Sequence, residues 1–208
     1  MNKESNTRKD VIKDFGIEWK RFNQSNKYFK SDESKKIFDN YFNIFPFNMI
    51  NTNSIGMDLG CGSGRWAKHI SPKVKKLILV DPSNEALSVA RKNLDGLKNL
   101  IFYCNDIDSA PIDDNSLDFA YSLGVLHHLP NPKKAIMKIS TKLKKNAPLL
   151  LYLYYSFDNR SFIYRYIWKI TNVMRIVISN LPIKLKNIVC DFLALIIYFP
   201  LARLSLLL

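Results

Sequence analysis

Acidic residues are scarce in this chain of 208 residues: 18 Asp and Glu stand against 31 Lys and Arg, a formal net charge of +13 at pH 7. Such an excess excludes an acidic surface made to collect cations. It leaves either an anionic partner or a lysine-rich surface that is merely solvated. Cysteine is nearly absent. Cys61, Cys104 and Cys190 are odd in number and show no pairing or metal-ligand spacing, which excludes a disulfide framework and fits a reducing compartment. Long apolar runs are missing too. The longest uninterrupted one, Phe192 to Ala202, has 11 residues, short of the roughly 20 needed to span a bilayer. The start, Met1-Asn2-Lys3-Glu4-Ser5, is polar and holds no apolar signal-peptide core, so a cytoplasmic location is expected. Residues 1–10 are expected to carry no regular structure.

What is present is enough for a folded core: 47% of residues are hydrophobic and 12% aromatic. Of only seven glycines, three fall within five positions, in Asp58-Leu59-Gly60-Cys61-Gly62-Ser63-Gly64. Ser54 to Leu59 reads as a short buried strand, and Arg65 to Ile70 returns to a helical pattern. A strand, a glycine turn and a helix start in that order form a nucleotide-binding corner, because glycine lets the backbone turn tightly and approach a ligand. Cys61 sits inside the turn, where its small size suits the space. The next apolar run, Lys76 to Val80, ends in Asp81-Pro82-Ser83, with Asp81 17 residues past Gly64. A carboxylate there is placed to accept from ribose hydroxyls. It equally suits a turn ahead of a helix capped by Ser83.

Strand and helix then alternate: strands at 54–59, 76–80, 100–104, 117–122 and 149–155, helices at 65–70, 83–94 and 131–144. Continuous apolar strands in such alternation predict a Rossmann-like α/β fold, a parallel sheet with helices on both faces. Ligands of these sheets bind beyond the carboxyl ends of the strands, where Asp58, Asp81, Asp106 and Leu123 all fall. Ahead of the sheet, Ser31 with Asp32 and Glu33 should open a helix that buries Ile37, Phe38, Tyr41, Phe42 and Phe45 and ends at Pro46.

The glycine segment resembles motif I of the class I S-adenosylmethionine-dependent methyltransferases, with Gly-x-Gly-x-Gly rather than the dehydrogenase fingerprint. Asn105 to Phe119 resembles the same family's segment built around an aspartate, a proline and a closing Ser-x-Asp. Val125-Leu126-His127-His128-Leu129-Pro130-Asn131-Pro132 is similar to the signature of its type-11 group. The likeness covers about residues 54–155. It implies S-adenosylmethionine as cofactor, with no metal needed. Gly60, Cys61, Gly62 and Gly64 would lie along the methionine part. Asp58 and the backbone at Leu123 would face its ammonium, Asp81 and Pro82 the ribose, and Asp106 and Ile107 the adenine. His127 and His128 are the histidines near this crevice; either one acts as a general base, or both orient the loop after the fourth strand. Phe15 to Phe22 resembles a segment that covers the cofactor mouth in some relatives, so Trp19 and Phe22 are placed as lid or substrate residues, core packing being the alternative.

Two departures from the family pattern stand out. Asn146, in Lys144-Lys145-Asn146-Ala147-Pro148, replaces glycine at a left-handed turn that asparagine also tolerates. After Tyr155 the expected edge hairpin is missing. Residues 159–208 instead read as helical, with Ile163, Tyr166, Ile167 and Ile170 on one face and Arg160, Arg165, Lys169 and Arg175 interspersed. This is either a shortened form of a longer protein, the expectation preferred here, or a variant sheet without its last hairpin. Three divisions are expected: a helical cap over 1–50, a core over 51–157 and a helical basic-apolar lid over 158–208. Residues 149–208 hold seven basic and two acidic groups, which suggests an anionic membrane surface and a peripheral position at its inner face; packing on the domain or on a dimer partner is the alternative.

The function expected is therefore methyl transfer to a small or amphipathic molecule, with O-, N- or C-methylation open. Two rivals from other classes are a catalytically silent scaffold of the same shape and an RNA methyltransferase. The intact loop and carboxylates oppose the first. The lack of an Asn-Pro-Pro-Tyr type motif, or of an appended nucleic-acid module, opposes the second.

Overall fold

The computed structural model of the chain describes residue 6, residues 8–21, 32–154, 157 and 159–204. Two compact units divide between Tyr154 and Tyr155. The first, Met1–Tyr154, is built on five parallel strands: β1 (Ile55–Leu59), β2 (Lys76–Val80), β3 (Leu100–Tyr103), β4 (Phe119–Leu123) and β5 (Leu149–Tyr152). Their order is β3-β2-β1-β4-β5. No antiparallel hairpin follows β5 among the described residues.

Alternation along each strand fills both faces, which is why the strands are apolar throughout. Leu77 and Leu79 of β2, with Phe119 and Tyr121 of β4, join Phe38, Phe42 and Trp66 in one core. Ile78, Val80 and Ala120 join Leu126 and Ile139 in the other. At the centre Gly56 lets β1 approach a ring edge: a Cβ built there would lie 2.0 Å from Cζ of Phe119. Helices close the layers: α1 (Lys9–Arg21), α2 (Asp32–Tyr41), α3 (Ala67–Ile70), α4 (Asn84–Asn93) and α5 (Pro132–Lys142). Ser83 caps α4 by accepting from the Ala86 N–H, and Asn131 caps α5 from the Lys134 N–H, with Pro132 in the first helical turn. Asn146 does take the left-handed turn, at φ 66°.

Two sequence expectations are corrected. Helix α1 begins at Lys9, inside the stretch expected to be irregular, and Asn6 is buried. The cause is tertiary: the Asn6 side-chain amide donates to the Asn131 carbonyl and accepts from the Asn131 N–H, both at 2.9 Å. Helix α2 stops at Tyr41 instead of running to Pro46, because a turn over 42–45 drops Phe42 and Phe45 into the core. The Ser31 cap lies outside the described residues.

The second unit, Tyr155–Leu208, is helical as expected: α6 (Phe162–Ser179), then α7 (Ile183–Leu193) and α8 (Phe199–Leu204) joined by a π-helical segment, Ala194–Tyr198. Pro200 lies inside this stretch without ending it. It has no N–H to close an ordinary turn, and the wider π turn just before it lets the helix run on. Ile183–Leu204 is thus a continuous helix of 22 residues, where the sequence offered only an 11-residue run.

Candidate active site

The site forms where β1 ends. Gly60, Gly62 and Gly64 all have positive φ, 73°, 52° and 78°, a region costly to residues with a side chain. The turn is stitched to β2: the Gly60 N–H donates to the Val80 carbonyl at 2.7 Å. Asp81, the residue after β2, reaches back across the gap. Its Oδ2 accepts from the Gly62 N–H at 3.0 Å and its Oδ1 from the Ser83 N–H at 2.9 Å. Asp81 therefore serves the turn, and it also binds the glycine loop to the second strand. A carboxylate has about four lone-pair sites, so two remain for hydroxyl donors. Burial raises its pKa, against the two backbone hydrogen bonds.

Asp58 is the second carboxylate, 1% exposed. It faces its register partner on β4, Tyr121. Among the described residues, its Oδ2 and the Tyr121 hydroxyl have no hydrogen-bond partner, although the hydroxyl is near enough to favour the charged carboxylate. Burial dominates and pushes the Asp58 pKa up to about 8; the Asp81 charge adds to this and Arg65 opposes it. A buried carboxylate oxygen without a partner behind a glycine turn fits a cationic group arriving from the ligand side. The residues present thus suit the amino-acid end of S-adenosylmethionine, with Gly60 and Asp81 on the lining of the adjoining cavity and Asp58 and Gly62 outside that lining.

A cavity of about 500 Å³ opens here, lined by Gly60, Cys61, Asp81, Pro82 and Leu123 among others. Cys61 is buried and its thiol is pushed up well above the ordinary range, which leaves it a small filler and not a nucleophile. Leu123 ends β4, and Gly124, at φ 77°, turns the chain away with its N–H donating to the Tyr152 carbonyl. Gly64 lies outside the lining; a Cβ there would lie 2.6 Å from Cδ1 of Leu94, so it serves helix packing.

Helix α1 covers the rim. A Cβ on Gly16 would lie 2.8 Å from Ser83 Oγ, so only glycine allows this approach to the start of α4. One turn further, the Trp19 indole lies over Gly62, 2.8 Å from where a Cβ would stand. Phe15 meets His128 edge-on at 4.9 Å. Trp19 lines the cavity; Phe22 lies outside the described residues.

The two histidines part company. His128 lines the cavity, with its pKa lowered by burial and then by His127. His127 stacks on Tyr154 at 3.9 Å and is absent from the lining; burial lowers its pKa too. Asp106 and Ile107 also lie outside the lining. Asp106 Oδ1 accepts from the Ser109 N–H and hydroxyl, closing the turn after β3, and Ile107 is buried in the core.

Sequence reasoning missed the far wall. Tyr41, at the end of α2, packs 4.9 Å from Trp66 and 5.0 Å from Tyr152, which stands 6.1 Å from Tyr154. All four line the cavity, with Arg65, whose guanidinium lies 4.2 Å over Trp66. Tyr152 and Tyr154 alternate out of β5, a signal the sequence did carry. Tyr41 gave none, since its helical spacing marked it as core.

Comparisons with known proteins find methyltransferases. A family model described as a methyltransferase domain matches residues 57–151. The uncharacterised methyltransferase YcgJ of Bacillus subtilis is 30% identical over 102 residues, covering 48% of this chain and 40% of that protein. Its crystal structure superposes with a TM-score of 0.50 at 26% identity, over 54% of this chain and 49% of that one. A ubiquinone biosynthesis O-methyltransferase of Coxiella burnetii is 25% identical over 107 residues (51% and 44%). A malonyl-[acyl-carrier protein] O-methyltransferase of Marinomonas is 22% identical over 165 residues (71% and 59%). The chain spans 40% to 59% of the length of these curated relatives.

Proposed function

We propose that this chain, whose residues 57–151 match the methyltransferase-domain family model, moves a methyl group from S-adenosylmethionine to a planar, largely apolar acceptor bearing a hydroxyl or amine. The observation that carries this reading is the pairing of a partnerless buried carboxylate oxygen, on Asp58, with a positive-φ glycine loop tied to Asp81. When bound, the cofactor supplies a methyl already activated by its sulfonium charge. The chain has three tasks left: holding the donor, aligning the acceptor and shedding a proton.

Asp58, Gly60, Gly62, Asp81 and the backbone at Leu123 hold the donor. Trp19 and Phe15 on α1 keep water from the rim. The acceptor ring rests against Tyr41, Trp66, Tyr152 and Tyr154, whose faces and edges suit offset or edge-on stacking. Arg65 already occupies a face of Trp66, which weighs against a cationic acceptor. His128, on the lining and neutral at physiological pH by its lowered pKa, takes the proton that the acceptor must lose. His127 holds Tyr154 in place. Two relatives named as O-methyltransferases support transfer to oxygen.

The test is titration calorimetry with S-adenosylmethionine, followed by release of S-adenosylhomocysteine against a panel of hydroxylated aromatics, aliphatic alcohols and amines. Saturable cofactor binding and a preference for the hydroxylated rings are expected. A folded sample that ignores the cofactor overturns the activity; turnover confined to aliphatic amines overturns the acceptor class and the oxygen assignment.

A further inference from the structure

The second unit shows an arrangement that the site does not use. On a helical wheel, Arg165, Lys169, Asn172, Arg175 and Ser179 of α6 share one stripe, and α6 contains no acidic residue. Opposite them Ile163, Ile167, Ile170, Met174 and Val177 form an apolar face that is open to solvent, with Ile163 70% and Val177 60% exposed. The next helix is more apolar still. Ile183–Leu204 reaches a mean hydropathy of 1.7 over an 18-residue window, and none of that window is buried. At about 1.5 Å per residue its 22 residues extend roughly 33 Å, close to the roughly 30 Å of a bilayer's hydrocarbon core. Lys184 and Lys186 stand in its first turn and Arg203 near its other end, where long cationic side chains reach headgroups. The π segment ahead of Pro200 is the local adjustment by which proline is accommodated inside apolar helices.

Soluble surfaces rarely expose contiguous apolar patches beyond a few hundred Å². A core helix of this composition would be buried, and this one is not. Charge decides between apolar partners: seven basic against two acidic groups over residues 149–208 match an acidic surface. We infer that residues 159–204 dock on a lipid bilayer rich in anionic headgroups. Helix α6 lies in the headgroup plane with its cationic stripe outward, and Ile183–Leu204 enters the hydrocarbon. Tyr164, Tyr166 and Trp168 on α6 supply the amphipathic rings that favour that depth. This inference stands apart from the reading of the site, since it uses none of its residues.

The experiment is flotation of the full chain with vesicles of phosphatidylcholine alone and of phosphatidylcholine with phosphatidylglycerol. The wild type is expected to float with the mixed vesicles and far less with neutral ones. Each cation near an anionic surface is worth roughly a fivefold gain in partitioning, so the triple variant Arg165→Gln, Lys169→Gln, Arg175→Gln should bind mixed vesicles about a hundredfold more weakly, with neutral vesicles little affected. Circular dichroism of the variant, expected to keep its helix content, separates this loss from unfolding. Equal binding of wild type to both vesicle types overturns the anionic assignment. Failure to float on either, with light scattering showing a closed dimer, overturns the lipid surface in favour of a second copy of this chain.

Discussion

Replacing Asp58 by Asn tests the centre of the site through its proton. In the ligand-free protein Asp58 is held to a pKa of about 8 by burial, against 3.8 for an ordinary aspartate. Between those values the folded chain keeps a proton that the unfolded chain has released. Stability is therefore fully present below about pH 4, falls as pH rises through this window, and levels off above about 8. About four pK units at about 1.4 kcal/mol each make the fall on the order of 5 kcal/mol. Asp58→Asn stays neutral throughout, so its unfolding free energy should lack this slope and exceed the wild type's at pH 8. Cofactor binding gives the sharper reading. A carboxyl with a pKa near 8 is about 90% protonated at pH 7, and meeting an ammonium group requires it to ionise. Calorimetry in buffers of different ionisation enthalpy should then show about 0.9 proton released per S-adenosylmethionine bound at pH 7, and about 0.1 at pH 9. Asp58→Asn should release none from this position and bind about tenfold to a hundredfold more weakly, having lost a charge-assisted partner. Equal proton release by variant and wild type would refute the reasoning, because the proton would then come from elsewhere.

Three further outcomes are expected. His128→Ala should cut turnover by about 100-fold or more while leaving cofactor affinity unchanged, whereas His127→Ala should raise the acceptor KM more than it lowers kcat by freeing Tyr154; the lowered imidazole pKa puts the acidic limb of the wild-type kcat/KM profile below pH 6.5. Gly62→Ala meets both a φ of 52° and the Trp19 ring, so it should cost about 1–2 kcal/mol in thermal unfolding and weaken the cofactor, and pairing it with Trp19→Ala should relieve the clash but not the backbone strain. Asn6→Ala removes two hydrogen bonds from a buried amide and leaves the Asn131 N–H unmatched, so hydrogen exchange along α1 should quicken by at least tenfold while the sheet stays protected.

The sheet was legible because buried parallel strands announce themselves as uninterrupted apolar runs between breakers. The glycine loop was legible because positive φ restricts the choice of residue, and Ser83 and Asn146 for similar local reasons. What escaped notice depends on distant partners. Nothing near Asn6 foretells a clamp on Asn131, 125 positions away, so residues 1–10, with the first turn of α1, read as irregular. Tyr121 beside Asp58 follows from register between β1 and β4, which one strand cannot disclose. Asp106 shows the converse: its spacing pointed to the crevice, yet Ser109, three residues on, engages its carboxylate first. In the second unit, counting uncharged residues halted at Asp191 and Arg203, while the helix itself runs from Ile183 to Leu204.

The ring of Phe119 resting on Gly56 also has a bearing on how this sequence can vary. With only 2.0 Å between that ring and any β-carbon at 56, the two positions behave as one inherited character: 56 can gain bulk only after 119 has surrendered it. Among homologues the pair should change in step, although 63 positions separate them and neither lines the cavity.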